Sequence, residues 1–221
     1  MTLIEKYLTL KSNYRNYDTK FTLKLMQAFR RSVPHLAEKG YRIAFDMLGS
    51  INFGIADDSS DADCILYHTC DIHADRPNCP EQCPNLMFEK QEIREYIRKR
   101  LSEKKFQVEF LDVINLKYFD RLDYTQDLSD NECVFRFLFY RSVARPVNRP
   151  LLQSYQDRFD ETPHLKDSFS EHASRILESY LNTNSHRYSF NKYNERIVNR
   201  GIHIPEEFLA ELRRYLDNAP K

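Results

Sequence analysis

GSINFGIADDSSDADCILY, residues 49 to 67, is the stretch whose reading decides the fold. It joins two strand-like runs. Upstream, YRIAFDML (41–48) alternates Tyr41, Ile43, Phe45 and Met47 with Arg42, Ala44 and Asp46, the period of a half-buried strand, and stops at Gly49 and Ser50. Downstream, DCILYH (63–68) is a compact apolar run with strand character. Asp61 and Asp63 stand two residues apart at the mouth of that second run, a spacing that turns both side chains to one face. Two carboxylates converging on one spot repel each other unless a cation sits between them. Hard oxygen ligands select Mg²⁺ or Mn²⁺, and Mg²⁺ is typically shared between one or two carboxylates and substrate phosphates. Gly49 permits close backbone approach and Ser50 can donate to a phosphate oxygen, so the segment has the parts of a nucleoside triphosphate site.

Outward from this stretch the chain alternates helix and strand patterns. Met26, Phe29, Val33 and Leu36 predict a helix within the first forty residues, stopped at Gly40 and kinked or split at Pro34. Ile93, Tyr96, Ile97 and Leu101 predict an amphipathic helix over 88–105, with Lys90, Arg94, Arg98, Lys99 and Lys104 on its solvated face. FQVEFLDVI (106–114) follows as a third strand. The order implies an α/β sheet layered with helices over residues 1–125. Beyond the polar DYTQDLSDNE (123–132) strand signals stop. Stripes at Phe135, Leu138, Phe139 and Val143, at Ile176, Leu177, Tyr180 and Leu181, and at Phe208, Leu209, Leu212 and Leu216 predict a helical domain over 126–221.

The pattern Gly49-Ser50, three residues, Gly54, one residue, Ala56, three residues, Ser60-Asp61, one residue, Asp63 resembles the motif of the DNA polymerase beta-type nucleotidyltransferase superfamily. Within it, the match is to the small bacterial branch of minimal and aminoglycoside nucleotidyltransferases, and it covers roughly residues 41–116. The resemblance implies a mixed-sheet nucleotidyltransferase core followed by a helical domain. It implies a third carboxylate on a later strand, for which Glu109 fits better and Asp112 is the alternative. The two lie on opposite faces of an unbulged strand, so only one should join Asp61 and Asp63.

The implied activity is metal-dependent transfer of a nucleoside monophosphate from an NTP to a hydroxyl, with pyrophosphate released. Asp61, Asp63 and Glu109 would hold Mg²⁺ or Mn²⁺, Gly49 and Ser50 would cradle phosphates, and Ser60 would assist. Arg136, Arg141, Arg145 and Arg149 line a predicted helix and its exit, and Arg141 is the candidate for neutralising the triphosphate. Phe53 stands where many relatives place arginine, and Cys64 replaces an aliphatic residue. The acceptor is open among a small molecule such as an aminoglycoside, a protein side chain and an RNA 3′ end. The competing reading is a non-catalytic nucleotide sensor or interaction module on the same fold.

Composition bounds these expectations. The chain has 221 residues, with 15 phenylalanines and 14 tyrosines to build a core, and only four glycines and nine prolines, which excludes a low-complexity chain. Thirty-three basic residues balance 33 acidic ones, so no extended nucleic-acid track is expected. There is no apolar run of membrane-spanning length, and MTLIEKYLTLK is too broken by charge for a signal peptide, which makes a soluble cytoplasmic location the default. Residues 69–85, TCDIHADRPNCPEQCPN, predict an irregular loop. His68, Cys70, His73, Cys79 and Cys83 are zinc-type ligands, with Cys70, His73, Cys79 and Cys83 the four that would complete a tetrahedron. Their irregular spacing favours free, exposed thiols at Cys79 and Cys83 over a metal site.

Overall fold

The computed structural model describes residues 1–102, 106–162, 165–181 and 183–217. The elements in chain order are α1 (Leu3–Arg15), α2 (Lys20–Ala37), β1 (Ile43–Met47), α3 (Gly49–Asn52), β2 (Ala62–His68), α4 (Pro84–Leu101), β3 (Val108–Asn115), α5 (Leu116–Phe119), α6 (Glu132–Val143), β4 (Arg145–Val147), α7 (Arg149–Asp160), α8 (Leu165–Leu181), α9 (Asn184–Val198) and α10 (Glu206–Leu216). The protein is mixed α/β with helix predominant. No helix among the described residues is long and apolar enough to cross a membrane. Lys104 and Lys105, placed on the predicted helix of 88–105, lie outside the described residues.

The N-terminal helical segment breaks at residues 16–19 rather than at Pro34, which sits inside the last turns of α2. Capping chemistry decides the break. Thr2 and Glu5 form a capping box that starts α1, and Thr19 restarts the chain by accepting from the Thr22 N–H while its hydroxyl donates to Ala56 O.

The sheet has the order β3-β2-β1-β4. β1 runs antiparallel to β2 and β4, whereas β2 and β3 are parallel and joined through α4. The fourth strand corrects the expectation that strand signals end near residue 125. Its three residues, Arg-Pro-Val, sit on the β1 edge, where a proline costs no interior ladder bond.

Cys64 and Leu66 face a core filled by α2 and α4, in which the buried rings of Phe29 and Phe45 meet edge to face at 5.1 Å. Burying each such ring contributes roughly 1.5–3 kcal/mol. On the opposite face Ala44, Ile65, Tyr67 and Ile114 pack under α6 and α7. The sheet is thus covered on both sides, and β1 is buried throughout rather than half-buried. A third cluster packs α1 against α8, α9 and α10, with Phe53 buried among Tyr7, Tyr14, Phe190 and Tyr193.

Candidate active site

Three carboxylates gather where β1 ends and β2 and β3 begin. The Leu48 N–H donates to Asp63 O (2.8 Å), tying the exit of β1 to β2. Gly49 then turns the chain with φ +54°, and the space before it is filled by the Asp63 carboxylate. The parallel register sets Asp63 opposite Glu109, and Asp61 lies just upstream of β2, exposed. Asp63 is half-buried, and burial raises its pKa first, with the charges of Glu109 and Asp61 pushing it further in the same direction. The three acids are oxygen donors, the ligand type that hard divalent cations take, although their oxygens are not all drawn within 4.8 Å of one another.

A bulge in β3 changes which acid can join them. Ile65 pairs with Asp112 although Cys64 pairs with Phe110, so Leu111 is left without a partner on β2. The extra residue brings Glu109 and Asp112 to the same face, which corrects the unbulged-strand expectation. Asp112 is nonetheless committed elsewhere: Arg136 ion-pairs with it at 3.2 Å, the Tyr140 hydroxyl donates at 3.1 Å and Asn78 Nδ2 at 3.1 Å. Glu109 is the acid left exposed beside Asp63.

The arginines expected for phosphate hold structural posts. Arg141 forms a buried ion pair with Asp46 (2.8 Å), whose other oxygen accepts from the Tyr67 hydroxyl at 2.8 Å. Burial raises Asp46 to about 6 against the opposing pull of Arg141 and Tyr67. Arg145 is bidentate to Asp18 (2.8 and 3.1 Å), and that carboxylate in turn fills the space before Gly54, at φ +80°. Ser60 is also engaged, its Oγ donating to Asp57 Oδ1 and accepting from the Asp57 N–H, both at 3.0 Å. A residue with no sequence signal braces this turn: Arg196 of α9 pairs with Asp57 at 2.7 Å and donates to Ser59 Oγ and Ile55 O.

At Gly49 lies a cavity of about 210 Å³, lined in part by Leu111, Phe139, Tyr140, His186 and Tyr193 and by none of the three carboxylates themselves. Burial lowers His186 to about 4, so its ring is neutral. Tyr193 is close enough to Asp63 that the carboxylate adds to the effect of burial in raising its hydroxyl pKa. A larger cavity of about 620 Å³, between α6, α7 and α8, is lined by Arg141 and Arg149 and by none of the three carboxylates.

No family model, curated protein or solved structure matches this chain. The site is therefore read from its own geometry.

The cysteine loop departs from expectation. Cys70, Cys79 and Cys83 are buried, and their sulfurs all lie within 4.8 Å of one another. Among the described residues this is the group of three or more ligand-type side chains drawn so close; the oxygens of Asp61, Asp63 and Glu109 are spread more widely, and His73 stands outside the sulfur cluster. The exposed thiols expected at Cys79 and Cys83 are thus corrected. Burial and the neighbouring sulfurs of Cys70 and Cys83 push the Cys79 thiol pKa up, which disfavours the reactive thiolate.

Proposed function

We propose that the chain is a metal-dependent nucleotidyltransferase that moves a nucleoside monophosphate from an NTP to a hydroxyl acceptor. The observation that carries this reading is the pairing of Asp63 with Glu109 across β2 and β3, with Asp61 two residues upstream and Gly49 leaving room for the carboxylate. Asp61, Asp63 and Glu109 would hold Mg²⁺ or Mn²⁺, which when bound supplies neutralising charge and polarises the α-phosphate.

The chain's own residues supply binding, orientation and a proton acceptor. Gly49 and Ser50 lie where phosphate oxygens could approach the backbone and a hydroxyl donor. The aromatic cavity next to Gly49 suits a nucleobase, which can stack on Tyr140 or Tyr193. The Glu109 carboxylate is exposed and can accept the acceptor hydroxyl proton as its oxygen attacks the α-phosphorus. One P–O bond forms, the bond from the α-phosphorus to the bridging oxygen breaks, and pyrophosphate carries away the electron pair.

The test is pyrophosphate release with each of the four NTPs and Mg²⁺ or Mn²⁺, across pools of small hydroxyl compounds, proteins and RNA ends. Turnover lost in Asp61→Asn and Asp63→Asn, with the fold kept by circular dichroism, supports the reading. Full turnover in the Asp61→Asn/Asp63→Asn protein would place the site elsewhere. Calorimetric NTP binding without turnover in any pool would instead favour the nucleotide sensor.

A further inference from the structure

The cysteine loop connects β2 to α4 without regular structure, and a loop of this length in a compact domain needs something to fix it. Three of its residues converge in the core. Cys70 leaves β2, Cys79 lies mid-loop and Cys83 is the residue from which α4 starts, and their sulfurs meet within 4.8 Å, with Cys70 and Cys83 3.8 Å apart. Asn85 Nδ2 donates to the Cys70 sulfur at 3.8 Å. Asn115 clamps the backbone, accepting from the Cys70 N–H and donating to Cys70 O and His73 O. The loop path thereby brings three sulfurs together at the edge of the apolar core that β2 and α4 share.

A second observation points to a ligand. His68 ends β2, two residues before Cys70, on the sheet face that α4 covers, and its side chain is fully buried. Its Nδ1 donates to the buried carboxylate of Glu89 on α4 at 2.7 Å, and its Nε2 has no hydrogen-bond partner. A carboxylate on one ring nitrogen fixes the tautomer and leaves the other nitrogen a lone pair, which is the arrangement of a metal-bound histidine and its supporting acid. An orphaned nitrogen in a core otherwise costs stability.

We infer that Cys70, Cys79 and Cys83 bind one zinc ion as thiolates, with His68 Nε2 as the fourth ligand. Three sulfurs and one imidazole make a closed tetrahedral set, the form of structural rather than catalytic zinc. The His68 nitrogen lies outside the 4.8 Å sulfur group, so binding requires the imidazole and the sulfurs to come closer together. Binding releases the three thiol protons and ties the end of β2 to the start of α4. The inference is independent of the proposed transfer reaction.

Untagged full-length protein, purified without chelators and dialysed against zinc and then buffer, is expected to carry about one zinc per chain. X-ray absorption should show three sulfurs at about 2.3 Å and one nitrogen at about 2.0 Å. Mercurial titration of the wild-type protein should release that zinc to a chromophoric chelator. Cys79→Ser and Cys83→Ser should each lose it, and His68→Ala should weaken zinc at least about tenfold while His73→Ala leaves it unchanged. Folded, zinc-free wild-type protein with five titratable thiols would overturn the site. Three thiols in the denatured, unreduced protein would mean a disulfide and would overturn it too. A loss confined to His73→Ala would overturn the His68 assignment.

Discussion

The Asp63 carboxylate stands in the space that a β-carbon on Gly49 would occupy. Residue 49 also has φ +54°, a conformation costing an L-residue roughly 1–2 kcal/mol. Gly49→Ala must therefore push Asp63 aside as well as strain the turn. We expect a stability loss of about 1–3 kcal/mol by urea unfolding and a larger proportional loss in Mn²⁺ affinity. Unchanged Mn²⁺ binding would show that Asp63 takes no part in a metal site.

Asp63 is held above its ordinary pKa by burial and by two like charges. An acid whose folded pKa exceeds its unfolded one favours the folded state most when protonated, and that advantage is lost as pH rises through the folded value. In metal-free protein, Asp63→Asn should raise the Tm near neutral pH and do little at about pH 3, where the unfolded-state carboxyl is protonated as well. Scanning calorimetry at the two pH values separates this from a pH-independent effect, which would contradict the electrostatic account.

Glu109 and Asp112 share a face but not a role. Glu109→Gln should keep the Tm within about 1 °C and cut turnover by roughly a hundredfold or more. Asp112→Ala removes the acceptor of Arg136, Tyr140 and Asn78 and should cost about 1–3 kcal/mol. Paired measurement of unfolding and turnover tests the division, and the reverse pattern would exchange the two acids.

Arg141 and Asp46 are a buried pair, so removing one partner is costly. Arg141→Met should destabilise by about 3–5 kcal/mol at neutral pH, because the buried Asp46 loses its counter-charge, keeps only the Tyr67 hydroxyl and must take up a proton to stay buried. Asp46 already titrates near 6, above its ordinary value, so its charged form weighs against the fold as pH rises through that range. The deficit of the variant should accordingly shrink at about pH 4, where Asp46 is neutral in the folded state. A deficit independent of pH in urea unfolding would assign the loss to packing instead.

β1 and α4 were legible because their apolar residues repeat with a fixed period, and β2 because it is a compact apolar run. β4 was not, since Arg-Pro-Val has no alternation and only its pairing with β1 makes it a strand. Asp46 illustrates a second limit on pattern reading: a charged residue in an alternating run reads as solvent-facing, and only the helices stacked on both faces reveal that it is buried with Arg141. The spacing of Asp61 and Asp63 singled out both acids, but Asp61 lies one residue before β2 begins, where strand alternation does not reach it. A bulge at Leu111, which no residue type announces, puts Glu109 and Asp112 on one face, and they differ by the Arg136, Tyr140 and Asn78 contacts that engage Asp112. Arg196 was equally hidden, because it reaches the motif from α9, whereas the three cysteines were named as a possible ligand set whose irregular spacing did not announce that they meet.

The packing of α1 sets an order of events on the ribosome. Its Tyr14 hydroxyl bonds Asn194, its Asn13 bonds Glu211, and the Tyr14 ring rests against Phe208 at 4.7 Å, so α9 and α10 are among its partners. Those partners are made about two hundred residues later, a delay of roughly 10–40 s at ordinary synthesis rates. Throughout that interval Tyr7 and Tyr14 have Phe53 as a native partner but lack Phe190, Tyr193 and Phe208, so part of the nascent helix face is open to chaperones and to mispairing. Release of a chain cut short before α10 would leave the Phe208 side of Tyr14 and the Tyr215 side of Tyr7 uncovered.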